Sequence, residues 1–391
     1  MSEPLRITRE FDDPAALRAH LDAGGDLAYA VLQGLDLTPF GDDLARTSVH
    51  CAVVLGGRAD PELLESMRQR GAVLFPTTVF ADCVFDPYPS GLYTPERLIL
   101  DEYVLGEPAS ARNTLDARIY RQYIDAGRER ARDLLTALAR RLHDHGMTDA
   151  LGEFISEQNV VAIMGGHGLE RTDEMYRGVA LLAGDLTRRG YLLATGGGPG
   201  AMEAAHLGAW LADRGTEELD AALSLMAGAP TFEHPLWQDT AARAHARIRM
   251  DGAPLRDSLG IPTWHYGHEP PTVFASRIAK YFDNSVREDG LLRIAQAGVV
   301  FAPGSAGTVQ EIFQDAAQNH YATGAPSPMV FLGRDYWTDA KPVYPLLRRL
   351  AHGRAYSEKL FIGDDIADVA DWIDRWNPPT PPQFETDLET A

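Results

Sequence analysis

Cysteine is almost absent: Cys51 and Cys83 are the only two in 391 residues, with no CxxC or zinc-type spacing around them. A disulfide framework and a cysteine-based zinc site are both excluded. Long apolar runs are missing too, since no stretch approaches the ~20 residues that cross a bilayer. The opening Met1-Ser2-Glu3-Pro4 lacks the basic and apolar regions of a secretory leader. A reducing, cytoplasmic setting is expected. Positive charge is scarce, with 36 Lys and Arg against 56 Asp and Glu and a formal charge of −20. Such a surface repels a phosphodiester polymer, so nucleic acid is not an expected partner, although a local basic pocket for one phosphate remains compatible. His167, His206, His265 and His320 show no mutual ligand spacing and read as core or pocket-lining residues, so no metal and no cofactor are implied. There is no Gly-x-Ser-x-Gly elbow. The glycine turns lack the Gly-Lys-Ser/Thr ending, which disfavours phosphoryl transfer from a triphosphate.

What the chain does have is size and glycine in telling places. At 45% hydrophobic it can bury a large core, and its length fits two domains or one enlarged one. Gly196-Gly197-Gly198-Pro199-Gly200 and Pro303-Gly304-Ser305-Ala306-Gly307-Thr308 each follow an apolar run and open a helix-forming one. The strands expected before them are Tyr191–Thr195 and Ala297–Ala302, and the helices begin near Ala201 and Val309. A strand that ends in glycines bends sharply and presents unhindered N–H groups at the start of the next helix, where phosphate oxygens fit. The first turn reads Gly-x-Gly-x-x-Ala, but no acidic residue closes a following strand where a dinucleotide site needs one. A mononucleotide is therefore the expected ligand.

The spacing predicts a small α/β unit over residues 1–110 and then a long helix or broken pair from Ala111 to His145, ended by Gly146. These make up an N-terminal region, 1–150. A Rossmann-like catalytic domain is expected over 151–376: a three-layer α/β fold with a parallel sheet, helices on both faces, and an insertion at 211–258. Its first strand is Asn159–Met164, with Gly165-Gly166-His167-Gly168 as the turn and a helix over 173–189. The tail, 377–391, reads as flexible. After Pro271, Phe274, Ile278, Phe282 and Val286 step by four and predict a helix. On it Arg277, Lys280, Asn284 and Arg287 share a cationic face, read either as solvated or as meeting a phosphate. Glu311 lies three residues after Thr308, which fits a capping box or a carboxylate beside the anion pocket.

Residues 155–335, with Met164-Gly165-Gly166, Tyr176, Gly190-Tyr191, the Gly196–Ala205 run and Pro303-Gly304-Ser305-Ala306-Gly307-Thr308-Val309-Gln310-Glu311, resemble the LOG (Lonely Guy) family, once labelled lysine decarboxylase-like. The long bacterial pyrimidine/purine nucleotide 5′-monophosphate nucleosidases are the branch of similar size. The resemblance implies hydrolysis of a nucleoside 5′-monophosphate to free base and ribose 5-phosphate, and a homodimer or larger homo-oligomer. It implies Glu311 and Arg277 as the catalytic pair. It also implies substrate contacts from Gly165, Gly166, Gly196, Gly197, Gly198, Gly200, Met202, Lys280, Gly304, Ser305, Ala306, Gly307 and Thr308. Ser305 departs from the family's glycine, which leaves the loop's shape open. Water, Asp283 and Glu203 are the candidate proton donors to the base. A non-catalytic nucleotide binder or molybdenum-cofactor carrier is the alternative, because related folds include such carriers; a DNA-processing protein is the third reading, opposed by the charge.

Overall fold

The computed structural model describes residues 9–376, apart from 76, 251, 253, 254, 268 and 323; the tail expected at 377–391 lies outside the described residues. The chain divides into two compact units, one formed by residues up to 92 with 122–150 and the other by 93–121 with 151 onward. Residues 93–121 thus pack with the second unit, although they precede the cut expected near residue 150. The reason is local: Tyr93 bridges Ile278, and the buried Asp116 accepts from Trp264 Nε1 at 2.8 Å.

The first unit carries four parallel strands in sequence order, β1 (Arg9–Phe11), β2 (Ala30–Gln33), β3 (Val53–Leu55) and β4 (Val73–Phe75). Between them run α1 (Pro14–Asp22), α2 (Gly41–Arg46) and α3 (Pro61–Gln69). Asp13 starts α1 by accepting from the Ala15 and Ala16 amides, and Leu17, Leu27, Leu32, Phe40, Leu44 and Met67 fill the core. The long helix or broken pair expected from Ala111 to His145 is a pair, α4 (Leu115–Asp125) and α5 (Leu134–Ile155). Gly146 does not end α5. A β-carbon there would lie 2.8 Å from the Pro89 carbonyl oxygen, so glycine serves close packing inside the helix.

The second unit is built on β5 (Val160–Met164), α6 (Glu174–Arg188), β6 (Leu192–Thr195), α7 (Ala201–Trp210), α8 (Thr216–Met226), α9 (Trp237–Arg249), β7 (Ser258–Gly260) and β8 (Arg277–Ile278). It continues through α10 (Asn284–Ile294), β9 (Gly298–Phe301), α11 (Ala306–Tyr321), β10 (Met329–Leu332), α12 (Val343–Ala351), β11 (Leu360–Gly363) and α13 (Ile366–Arg375). All seven strands are parallel, in the order β11-β10-β9-β5-β6-β7-β8. Helices cover both faces, with α6 touching α7 and α13, and α11 touching α10 and α12. This is the expected Rossmann-like α/β architecture. Its central strands are mostly apolar because both faces are covered; β5, β6, β9 and β10 are buried at every residue.

The helix expected after Pro271 begins only at Asn284. Residues 272–282 turn at Val273 and Phe274 and then enter the short strand β8, and Asp283 opens α10 by accepting from the Ser285 amide. Val273, Phe274, Ala275, Ile278, Ala279, Tyr281 and Phe282 are all buried, so the segment has no polar face to leave in water. The shared cationic face does not form. Arg277 lies on an edge strand and Arg287 on a helix.

Candidate functional site at the switch point of the large sheet

The chain leaves β5 toward β6, β7 and β8, then returns to the other side of β5 with β9, so the strand order reverses between β5 and β9. Ligands of open α/β sheets bind in the crevice at such a point, outside the carboxyl ends of the strands. Both glycine turns and the Gly165-Gly166 turn are there, at the ends of β6, β9 and β5. They are joined through the backbone: Gly166 N donates to Pro303 O at 3.0 Å, and Ala201 N to Gly166 O at 3.1 Å.

Gly200 caps α7 with φ +70°, and a β-carbon there would collide with the Gly166 carbonyl and lie 2.6 Å from His167 O. Gly200→Ala is expected to cost roughly 1–3 kcal/mol of backbone strain and to weaken ribose 5-phosphate binding. Thermal unfolding and calorimetry check this, and an unchanged midpoint with unchanged affinity contradicts it. Thr195 shapes the same turn: its Oγ1 accepts from Gly197 N at 2.8 Å and bonds His206 Nε2 at 2.8 Å. His206 also meets Ser258 Oγ, and burial pushes its pKa down to about 3, so it is a neutral core residue. Met202 folds over the turn, with Sδ 2.8 Å from where a Gly196 β-carbon would sit.

At the other turn Ser305 is the N-cap of α11 with φ −103°. Serine therefore fits without left-handed strain where the resembled family has glycine. Ser305, Ala306 and Gly307 are exposed, at the end of a 16-residue helix whose first amides carry partial positive charge. Gly304 is packed under Thr308, leaving no room for a β-carbon. Its carbonyl accepts from Tyr336 Oη at 2.6 Å and Lys341 Nζ at 2.8 Å, and Lys341 also reaches Ser305 Oγ at 3.2 Å. Sequence reasoning missed both residues, which lie beyond the next strand with no motif around them.

With Ser305 as the N-cap, Thr308 is the third helical residue and Glu311 is not the partner of a capping box. Glu311 keeps some exposed surface yet is closely enclosed by neighbouring atoms. That enclosure pushes its carboxyl up to about 7; the Arg287 guanidinium pulls it down and Glu288 pushes it further up. Arg287 is 8% exposed. Its Nε and Nη2 donate to Asn284 Oδ1 at 3.1 and 2.9 Å, and Nη2 also to Glu288 Oε1 at 3.2 Å. Nη1 lies 3.6 Å from the position a Gly196 β-carbon would take, so this cation links the β6 turn to the α11 carboxylate. Tyr266 and Gln310 bind Glu288 at 3.1 and 2.9 Å.

The structure does not bring Arg277 to Glu311. Arg277 stands on β8, four strand spacings or about 19 Å across the sheet from β9. Its Nη1 donates to Ser276 O, and its guanidinium lies 5.9 Å from the Phe154 ring centre. Lys280 is not at the turns' phosphate positions either. It is buried, with Nζ 2.6 Å from Asp116 Oδ1 and 5.1 Å from the Trp264 ring centre. Burial lowers its pKa against the pull of Asp116. Both candidate acids are committed as well. Glu203 is fully buried and accepts from Arg171 Nε and Nη2 at 2.8 and 2.6 Å and from Tyr176 Oη at 2.8 Å. Asp283 caps α10 and also accepts from Ser285 Oγ.

Among the described residues no helix is long and apolar enough to cross a membrane. No protein-family model and no curated protein matches the chain. Solved structures that it resembles include the molybdenum cofactor binding protein of the phototrophic bacterium Rippkaea orientalis, at 14% identity over 56% of this chain and 96% of that one. They also include the molybdenum cofactor carrier protein of Chlamydomonas reinhardtii, at 16% identity over 56% and 97%, and the structural-genomics target TM1055, at 20% over 56% and 99%. The TM-score is 0.34 in each case. A likeness this distant assigns neither family nor activity, so the fold stands on the chain's own sheet order and the site on its own geometry.

Proposed function

We propose that this protein is a nucleoside 5′-monophosphate phosphoribohydrolase, splitting the N-glycosidic bond to give free base and ribose 5-phosphate. One observation carries the reading: a carboxyl with a pKa near 7, Glu311, lies under the influence of the buried Arg287 cation in the crevice where three glycine turns converge. A carboxyl raised toward neutral pH and set in a crevice beside a cation suits a general base. The 5′-phosphate sits on the exposed α11 amides, with Lys341 adding charge. Binding energy at that end of the nucleotide fixes the sugar over Glu311.

The bond from C1′ to the base nitrogen breaks with its electron pair going to the base, and positive charge builds on the ribose. Ionised Glu311 stabilises that charge and accepts a proton from the water that adds to C1′. Arg287 holds the carboxylate in place and favours its ionised form. The sign of the pH dependence follows. Below about 7 Glu311 is neutral and cannot take the water proton; above it the carboxylate is present. A plot of kcat/KM against pH is expected to show an ascending limb near 7 as Glu311 ionises, and Glu311→Gln to lose that limb. A Glu311→Gln variant that keeps the wild-type ascending limb contradicts the assignment. Chromatography of nucleoside monophosphates incubated with the purified protein tests the activity itself.

A further inference from the structure

Breaking an N-glycosidic bond leaves a base nitrogen that needs a proton, and neither Glu203 nor Asp283 is free to give one. A cavity of about 150 Å³ adjoins Gly200 and answers this need. His167, Gly200, Phe232 and Trp237 line it together with the Arg171–Glu203 pair. His167 follows the Gly165-Gly166 turn at the end of β5, so it belongs to the crevice. Its side chain keeps 57% exposure and can meet a ligand. Its Nδ1 stands 3.6 Å from Glu269 Oε1, and its ring meets the Phe232 ring edge-on with centroids 5.5 Å apart. Glu269 in turn reaches the first glycine turn, with Oε2 3.4 Å from where a Gly198 β-carbon would sit.

Phe232 and Trp237 come from the 211–258 insertion. Arg171 anchors that insertion through the Ala229 and Trp237 carbonyls and Thr240 Oγ1. An aromatic wall, an imidazole and a carboxylate around a small cavity beside a sugar-phosphate cradle suit a flat heteroaromatic ring.

We propose that this cavity receives the nucleobase, with Phe232 as its wall and His167, oriented by Glu269, as the acid that protonates the departing ring. The inference rests on the phosphoribohydrolase reading. Imidazolium Nε2–H gives its proton to a base nitrogen as that nitrogen takes the C1′–N electron pair. Water supplies the hydroxyl at C1′ and passes its own proton to Glu311. Transfer of that proton through solvent restores His167, so the net reaction consumes one water. Either ring nitrogen of an imidazole can carry the proton, and Nδ1 beside a carboxylate leaves Nε2 for the substrate. His167 is the catalytic residue of this arrangement and Glu269 the positioning residue.

The test compares two substrates: a nucleoside 5′-monophosphate, and 4-nitrophenyl ribose 5-phosphate, whose nitrophenolate departs without a proton. His167→Gln is expected to lose roughly 10²–10⁴-fold in kcat on the nucleotide while turning over the nitrophenyl compound near the wild-type rate. Glu269→Gln is expected to lose on the nucleotide alone, by less, and Phe232→Ala to raise the nucleotide KM more than it lowers kcat. Equal losses on both substrates mean a structural role and overturn the proposal, as does full nucleotide turnover by His167→Gln. A wild-type protein that cleaves the nitrophenyl compound but no nucleotide also overturns it while leaving Glu311 chemistry standing. A wild-type protein that cleaves neither removes the underlying reading.

Discussion

Glu311→Gln releases free base roughly 10²–10⁴-fold more slowly than the wild type, the range for loss of a positioned proton-transfer group, while ribose 5-phosphate binds with unchanged affinity. The amide keeps the carboxyl's shape but can neither accept the water proton nor carry the charge that steadies a cationic sugar. Because burial already disfavours the charge and lifts the pKa to about 7, the swap does not weaken the fold. Arg287→Met is expected to cost a similar factor in kcat, since the carboxylate loses the cation that favours its ionised form. Arg277→Ala is the control. That residue stands on the edge strand β8 with its guanidinium over Phe154, and its loss is expected to leave kcat near wild type. Initial rates of base release, beside thermal unfolding of each variant, check all three. A collapse of activity in Arg277→Ala with full activity in Arg287→Met reverses the assignment.

The second large effect is on stability. Arg171 and Glu203 form a two-bond ion pair with side chains 1% and 0% exposed, and the guanidinium lies 4.8 Å from the Trp237 ring centre. Arg171→Met leaves a buried carboxylate with only Tyr176 as partner and frees three acceptors on the insertion. The expected cost is roughly 3–5 kcal/mol, read as a lowered midpoint in chemical unfolding. Arg171→Met with Glu203→Leu removes both charges and is expected to recover much of it, because two apolar groups leave no unpaired charge. A single variant as stable as the wild type contradicts this account of how the insertion is held.

Much of the fold was legible in the sequence. The runs that became β5, β6 and β9 are almost wholly apolar and lead into glycine turns, a pattern that suits short strands covered on both faces. The helix expected after Pro271 was not legible, for a definite reason. Phe274, Ile278 and Phe282 lie four apart, which suits one face of a helix and equally one face of an extended chain. The stronger signal was Asp283 followed by Ser285, a helix start that the structure uses. The family resemblance placed Arg277 and Lys280 in the site, and the supposed helix agreed with it. Arg287, on the same supposed stripe, is the cation that the real helix delivers. Glu311 was readable because it follows a glycine turn at a fixed distance. His167, Glu269, Tyr336 and Lys341 come together only through the order of the strands and the path of the loops, which no local spacing records.

In the proposed reaction water attacks C1′ of a phosphorylated ribose and nothing else. Turnover of a nucleoside 5′-monophosphate in ¹⁸O-labelled water, followed by mass spectrometry of the products, tests it directly. Free base and ribose 5-phosphate are expected in equal amounts, with one label at C1 of the sugar before exchange and none in phosphate. Label in inorganic phosphate beside an intact nucleoside, or no product with any base, contradicts it.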